Sequence, residues 1–232
     1  MLKKDGDYMI TALLSLRDSL LFSNIADEDL LKLSGCIDAR ERDVARDSFV
    51  LCMGDPVRLV YYILSGSMFI VEDDFWGNRS IIETLPKDTL FGEAYVFSSM
   101  ENHLVSVIAA QDSKILEINP AKLFETCSNR CGCHTQLSRN TLRIVSEKIV
   151  RLTEKVGHIM QRTIREKILS YLSLCAQREK GDSFYIPYSR QQLADYLCVD
   201  RSALSHELSR LKKQGMINYH KNHFELLSKH EK

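Results

Sequence analysis

Four polar residues, Ser202, Ser205, His206 and Ser209, recur at i, i+3, i+4 and i+7, with Arg201 just ahead of them. On a helix this spacing gathers them into one stripe. Short donors and acceptors in such a stripe let a helix backbone sit deep in a DNA major groove without a long side chain in the way. Arg201, in the first turn, can reach a guanine edge or a phosphate. Arg190, Lys212, Lys213 and Lys221 lie near in sequence and suit phosphate contacts, which position a protein without specifying a sequence. By itself the stripe has a plainer reading, a solvated helix face.

A second chemistry-bearing group is Cys127, Cys131 and Cys133 with His134 beside them, a C-x3-C-x-C-H pattern among seven cysteines. Three clustered thiols with His134, Cys36 or Cys52 as a fourth ligand could hold a metal or an iron–sulfur cluster. The same thiols could act as redox sensors or be inert; the spacing is not that of a C-x2-C zinc knuckle. Cys175 and Cys198 sit in apolar helical contexts and read as packing residues. Catalytic motifs are absent: no G-x-S-x-G elbow, phosphate loop or dinucleotide fingerprint occurs. Ser205 and His206 point about 100° apart on a helix, which is no dyad. An enzyme of small substrates therefore stays a remote alternative.

The polar stripe needs elements to hold it. Leu204, Leu208 and Leu211 occupy the opposite face and should pack on Leu193, Leu197 and Val199. The helix is expected over 201–214, with Asp200 as N-cap and Gly215 as stop. Before it, Ser189 with Gln192 has capping-box spacing. A helix over 163–176, a break at Gly181-Asp182-Ser183 and an extended piece over 184–187 come earlier. Strands over 216–220 and 224–227 follow, flanking Lys221-Asn222-His223. Helix, short turn, helix and hairpin make a winged helix-turn-helix. Over the whole chain Lys+Arg and Asp+Glu both total 31. Residues 162–232, however, carry 13 Lys/Arg against 8 Asp/Glu, a net of +5, and residues 1–161 carry 18 against 23, a net of −5. A basic end on an acidic front fits a chain of which one end meets a polyanion.

The remaining 161 residues change texture once. From about Leu20 to Ile118, short apolar runs (59–64, 68–71, 81–85, 105–109 and 114–118) alternate with turn residues, the pattern of an antiparallel barrel or roll. Asp27-Glu28-Asp29 opens a short helix ahead of it. Asn119-Pro120 starts another. A long helix is expected over 136–161, where Leu142, Val145, Ile149, Leu152, Val156 and Ile159 recur at spacings of 3, 4, 3, 4 and 3. This narrow seam points to a homodimer. At 232 residues the chain divides as 1–118, 119–161 and 162–232. Its longest uncharged run is 13 residues, at 59–71, short of the ~20 that span a membrane. An odd cysteine count and a start that does not read as a secretory leader make the cytoplasm the expected location.

In this order of parts the chain resembles the Crp/Fnr transcriptional regulators. The resemblance rests on Leu64-Ser65-Gly66, on Phe91-Gly92-Glu93, and most of all on residues 189–205, SRQQLADYLCVDRSALS. It implies an α+β chain: a cyclic-nucleotide-binding-like β-roll (a double-stranded β-helix or jelly roll), a long dimerisation helix, and a winged helix-turn-helix. It further implies that Ser189, Arg190 and Gln191 approach the DNA backbone while Arg201, Ser202 and His206 face bases. The operator would be pseudo-palindromic double-stranded DNA, and RNA polymerase a partner. The family often has glutamate at position 202 and arginine at 206, so its familiar operator does not transfer. Cys198 falls at an inter-helix turn where glycine is common. In nucleotide-binding relatives an Arg-Ser pair follows Gly-Glu and grips the cyclic phosphate; aligned without gaps, that pair is His103-Leu104 here. A phosphate would lack its fixed charge-assisted partner, so cyclic AMP is not expected. Gly92, Glu93, His103 and Leu104 then mark the pocket of an unidentified small effector, with a purely structural turn at Gly92-Glu93 as the other reading. The Cys127/Cys131/Cys133 cluster does not match the family's oxygen-sensing pattern, which lies near the N-terminus.

Overall fold

The computed structural model describes residues 19–34, 36, 37, 39–73, 76, 79–124 and 132–227. The chain divides into two compact units, Met1–Glu147 and Lys148–Lys232, and the division falls inside one helix. Among the described residues no helix is long and apolar enough to cross a membrane.

In the first unit the order is α1 (Asp27–Ser34), β1 (Ala39–Val44), β2 (Phe49–Leu51), β3 (Val60–Ser65), β4 (Ser67–Asp73), β5 (Arg79–Pro86), β6 (Leu90–Phe91), α2 (Glu93–Val96), β7 (Ser106–Ala109), β8 (Ser113–Ile118), α3 (Ala121–Phe124) and the first part of α4 (Gly132–Ile159). The strands pair antiparallel in two four-stranded sheets, ordered β1-β8-β3-β6 and β2-β7-β4-β5, so the expected roll is the fold found. One side of the first sheet faces the roll interior, where Tyr61, Ile63, Phe91 and Ile115 meet Met68, Leu85 and Val107. Its other side, with Val60, Tyr62, Leu116 and Ile118, packs on Leu30, Leu33, Leu123 and Leu137 of the helices. Burial on both faces is why the β3 sequence is an unbroken apolar run instead of an alternation.

The tight β3–β4 turn depends on Gly66, at φ 86°: a Cβ there would overlap the Ser113 side chain. Strand β1, Ala-Arg-Glu-Arg-Asp-Val, gave no apolar signal. It is an edge strand, held to β8 in register with Arg42 paired to Glu117 at 2.8 Å and Lys114 to Glu41 at 3.3 Å. Charges on an edge discourage further strand addition, which hides such a strand from a hydrophobic pattern.

Helix α4 starts at Gly132, four residues before the expected start. A second stripe explains the added turn: Cys133, Leu137, Asn140, Thr141 and Ile144 are buried in the first unit. Asn140 donates to the carbonyls of Leu21 and Ser23 at 2.9 and 2.8 Å. The narrow seam and this stripe coexist on different faces of one helix, so packing on its own unit and an exposed seam are both present.

The second unit holds the rest of α4, then α5 (Ile164–Glu179), β9 (Ser183–Tyr185), α6 (Arg190–Tyr196), α7 (Arg201–Lys213), β10 (Ile217–His220) and β11 (His223–Leu226). Its sheet is ordered β10-β11-β9, so the extended piece after α5 adds a third strand to the expected hairpin. Thr163 with Glu166 closes a capping box at the start of α5. Ser189 with Gln192 closes the expected one on α6. Leu204, Leu208 and Leu211 are fully buried against Leu193, Leu197, Ile168, Leu172 and Phe224, with Val199 partly buried beside them. Between α6 and α7 the turn passes through Cys198 at φ 52°. That left-handed backbone costs a side-chain-bearing residue about 1–2 kcal/mol, as its place in a glycine-favouring turn implied.

Candidate nucleic-acid interface

Helix α7 is set by its ends and its buried face. Asp200 caps it, accepting from the backbone N–H of Ser202 and Ala203 at 2.8 and 2.9 Å and from the Ser202 hydroxyl. These bonds, led by that of the Ser202 side chain, hold the Asp200 carboxyl below its ordinary value. On the inner side, Glu207 is buried and faces Arg165 at 3.5 Å and Arg210 at 3.6 Å. Arg165 also donates to Gln214 Oε1 at 2.6 Å. With the leucines and this polar latch on one side, Arg201, Ser202, Ser205, His206 and Ser209 are left exposed on the other.

The wing joins the helices through Arg190. Its guanidinium carbon lies 4.7 Å from the Tyr219 ring centre and 4.9 Å from that of Phe224. Nη2 donates to the Lys221 carbonyl at 2.7 Å, while Nη1 is buried without a hydrogen-bond partner among the described residues. Burial pulls the Arg190 pKa down, with Tyr219 acting the other way. So Arg190 binds α6 to the wing within the unit. Lys221 itself is exposed at φ 51° in the β10–β11 turn. Ser189, the N-cap of α6, and Gln191 in its first turn are exposed, and Gln191 donates to Asp195 at 2.8 Å. Lys212 reaches the Tyr219 carbonyl at 3.3 Å.

One cluster escaped the sequence reading. The last turns of α4 pack on the second unit: Glu154 accepts from Arg178 at 2.6 and 2.7 Å, and His158 Nδ1 lies 2.8 Å from Ser170 Oγ. The His158 ring meets Tyr171 edge-on, and Lys155 lies over Tyr196. The three rings, His158, Tyr171 and Tyr196, come from three separate stretches of sequence, so no local spacing could have announced them.

In the roll, Gly92 (φ 83°) precedes α2, and a Cβ there would press on the Leu59 carbonyl at 3.1 Å and the Tyr61 ring at 3.2 Å. Glu93 and His103 are buried. Tyr95 of α2 meets the His103 ring edge-on at 4.8 Å between centres, which joins the two segments. The His103 backbone is fixed by Asp55 and Gly54, at 2.9 and 2.8 Å, yet neither ring nitrogen has a hydrogen-bond partner among the described residues. Burial lowers the His103 pKa, with Asp55 opposing. Leu104 points outward, 56% exposed.

Along the seam Leu142, Ile149, Leu152 and Val156 are exposed, at 63, 59, 57 and 47%, while Val145 and Ile159 are half-buried. Cys127 and Cys131 lie outside the described residues. Cys133 and His134 are buried at the start of α4, and the His134 ring nitrogens have no hydrogen-bond partner among the described residues. No group of three or more possible metal ligands occurs among the described residues.

Comparison with known proteins bears on both units. Residues 41–130 match the cyclic nucleotide-binding domain and residues 166–231 the Crp-like helix-turn-helix domain. The cAMP-activated global transcriptional regulator Vfr of Pseudomonas aeruginosa is 24% identical over 186 residues, 77% of this chain and 85% of that one. The regulatory protein HlyX of Actinobacillus pleuropneumoniae is 23% identical over 200 residues, 83% of this chain and 80% of that one. A cyclic nucleotide-binding domain from Methylobacillus flagellatus superposes with a TM-score of 0.51 at 17% identity, over 65% of this chain and 83% of that one. That last likeness concerns the fold alone.

Proposed function

The chain belongs to the Crp/Fnr family of DNA-binding transcriptional regulators, and from that premise we propose that it works as a cytoplasmic homodimer under the control of a small effector other than cyclic AMP. Each α7 lies in the major groove of one half of a pseudo-palindromic site, the halves about one helical turn apart. RNA polymerase is the partner through which the bound dimer acts.

The observation that carries the reading is the division of α7 into two faces, leucines buried and Arg201, Ser202, Ser205 and His206 exposed. Exposed leucine, isoleucine and valine at heptad spacing on α4 support the dimer. For the effector, the residues standing where an Arg-Ser pair would grip a phosphate offer an outward leucine and a buried imidazole. Neither supplies a fixed cation. The effector acts by binding one of two populations better than the other, and α4, which carries residues of both units, is the element through which the shift travels.

Sedimentation of the full chain with and without a duplex selected from a random library tests this. A dimer is expected, with log affinity for the duplex falling linearly as log salt rises and unchanged by added cyclic AMP. Leu152→Asp should give monomers that bind the duplex far more weakly. A protein that enriches no sequence, or that binds as a monomer with full affinity, would overturn the reading.

A further inference from the structure

The hydroxyl protons of the α7 stripe all point the same way. Ser202 donates to Asp200 Oδ1, Ser205 to the Arg201 carbonyl at 2.9 Å, and Ser209 to the Ser205 carbonyl at 3.0 Å. The direction of each bond is fixed by its partner: a carbonyl oxygen only accepts, and so does a carboxylate held ionised by its cap bonds. Each hydroxyl has one proton, and each has spent it inside the helix. What remains on the exposed face of Ser202 and Ser205 is lone pairs, whereas Ser209 Oγ also lies 3.5 Å from the Tyr219 hydroxyl.

Resting on the DNA-binding reading above, we infer that Ser202 and Ser205 are specificity determinants that read exocyclic amino groups, so that the preferred half-site places adenine N6 or cytosine N4 opposite them. In the major groove the amino groups of adenine and cytosine are the donors, whereas N7, O6 and O4 accept. A column of acceptors complements the first set and is mismatched to the second. Reversing the Ser202 hydroxyl would give up a bond to a charged oxygen, which is of the stronger kind. Reversing that of Ser205 would release the proton that its own helix accepts. Donor chemistry on this face is left to Arg201 at the first turn, and to His206 by its tautomer. The half-site is thus divided: acceptor edges under Arg201, amino groups under the serines.

The test uses the full-length protein and the duplex selected from a random library. Positions read by each serine are those at which Ser202→Ala or Ser205→Ala relaxes the selected preference. At those positions single bases are replaced by purine or pyrimidin-2-one, which lack the amino group, and separately by 7-deazapurines, which lack N7. Loss of the amino group should weaken wild-type binding about fivefold and leave the matching Ser→Ala variant unaffected, while 7-deaza replacement changes neither. Sensitivity to the 7-deaza bases at those positions would show outward donation and overturn the inference. So would insensitivity to both replacements, or Ser→Ala variants with wild-type preference. In each of these cases sequence-selective DNA binding stands. A protein that enriches no sequence at all overturns that reading and the inference together.

Discussion

The reader helix and the roll treat their polar residues in opposite ways. On α7 every serine of the stripe is exposed and hydrogen-bonded. In the roll, His103 is buried with both ring nitrogens unpartnered among the described residues. An exposed, satisfied group costs the fold little and can be changed by evolution at little risk to stability. A buried, unsatisfied one costs roughly 1–3 kcal/mol and persists against that cost. The comparison separates a surface whose polar groups are satisfied from an interior where an unsatisfied one holds free energy.

The largest expected effect falls on the reader. Arg201→Ala should lower affinity for the selected duplex by about 1–3 kcal/mol and leave a random duplex nearly unchanged. Lys221→Ala should weaken both alike and reduce the salt slope by about one. Titrations of both duplexes at several salt concentrations separate the two, and equal losses on both duplexes with Arg201→Ala would remove it from base reading.

His103→Leu addresses the other side of the comparison. Relieving a buried unpartnered imidazole should raise the stability of the roll by about 1 kcal/mol at pH 7.5. The pH dependence has a definite sign. The folded state holds the His103 pKa below its unfolded value of about 6.5, so the unfolded chain binds the proton more readily. Stability is therefore full above pH ~6.5 and is lost as pH falls from there toward the folded pKa. The leucine variant should gain more at pH 5.5 than at pH 7.5 in urea unfolding. Lower stability at pH 7.5 would mean that the imidazole has a partner.

The smallest effect is expected at the turn between α6 and α7. Cys198→Gly relieves a left-handed residue but adds freedom to the unfolded chain. A net gain of no more than about 1 kcal/mol should appear in thermal unfolding, with duplex preference unchanged.

These contrasts also mark what could be read without coordinates. The reader was legible because its signals are local: the Ser189–Gln192 and Asp200 caps, Gly215, and leucines at helical spacing all lie within 30 residues and agree with one another. The roll was legible in its central strands, whose two-sided burial writes continuous apolar runs. Its edge was not, because β1 is held by ion pairs to a strand some 70 residues away. The first turns of α4 were missed for a related reason. Their buried stripe contains cysteine, asparagine and threonine, and Asn140 earns its place through backbone carbonyls more than a hundred residues upstream. The polarity of the serine hydroxyls was beyond any pattern of residue types, since it depends on which neighbour each proton meets.

Helix α4 carries a further consequence, for anyone who would recombine these units. Its buried stripe belongs to the first unit, its Glu154 and His158 latches belong to the second, and the exposed seam runs between them. The seam positions on either side of the division lie on one helix, Gly132–Ile159. Inserting a single residue near Glu147 would rotate the later seam positions of the helix by about 100° and advance them by about 1.5 Å, taking Leu152 and Val156 out of phase with Leu142. A seven-residue insertion would nearly restore the phase while lengthening the helix by about 10 Å. Exchanging sensors between such proteins is therefore a problem of phase before it is one of sequence: grafts joined within this helix should tolerate whole heptads and fail on single residues.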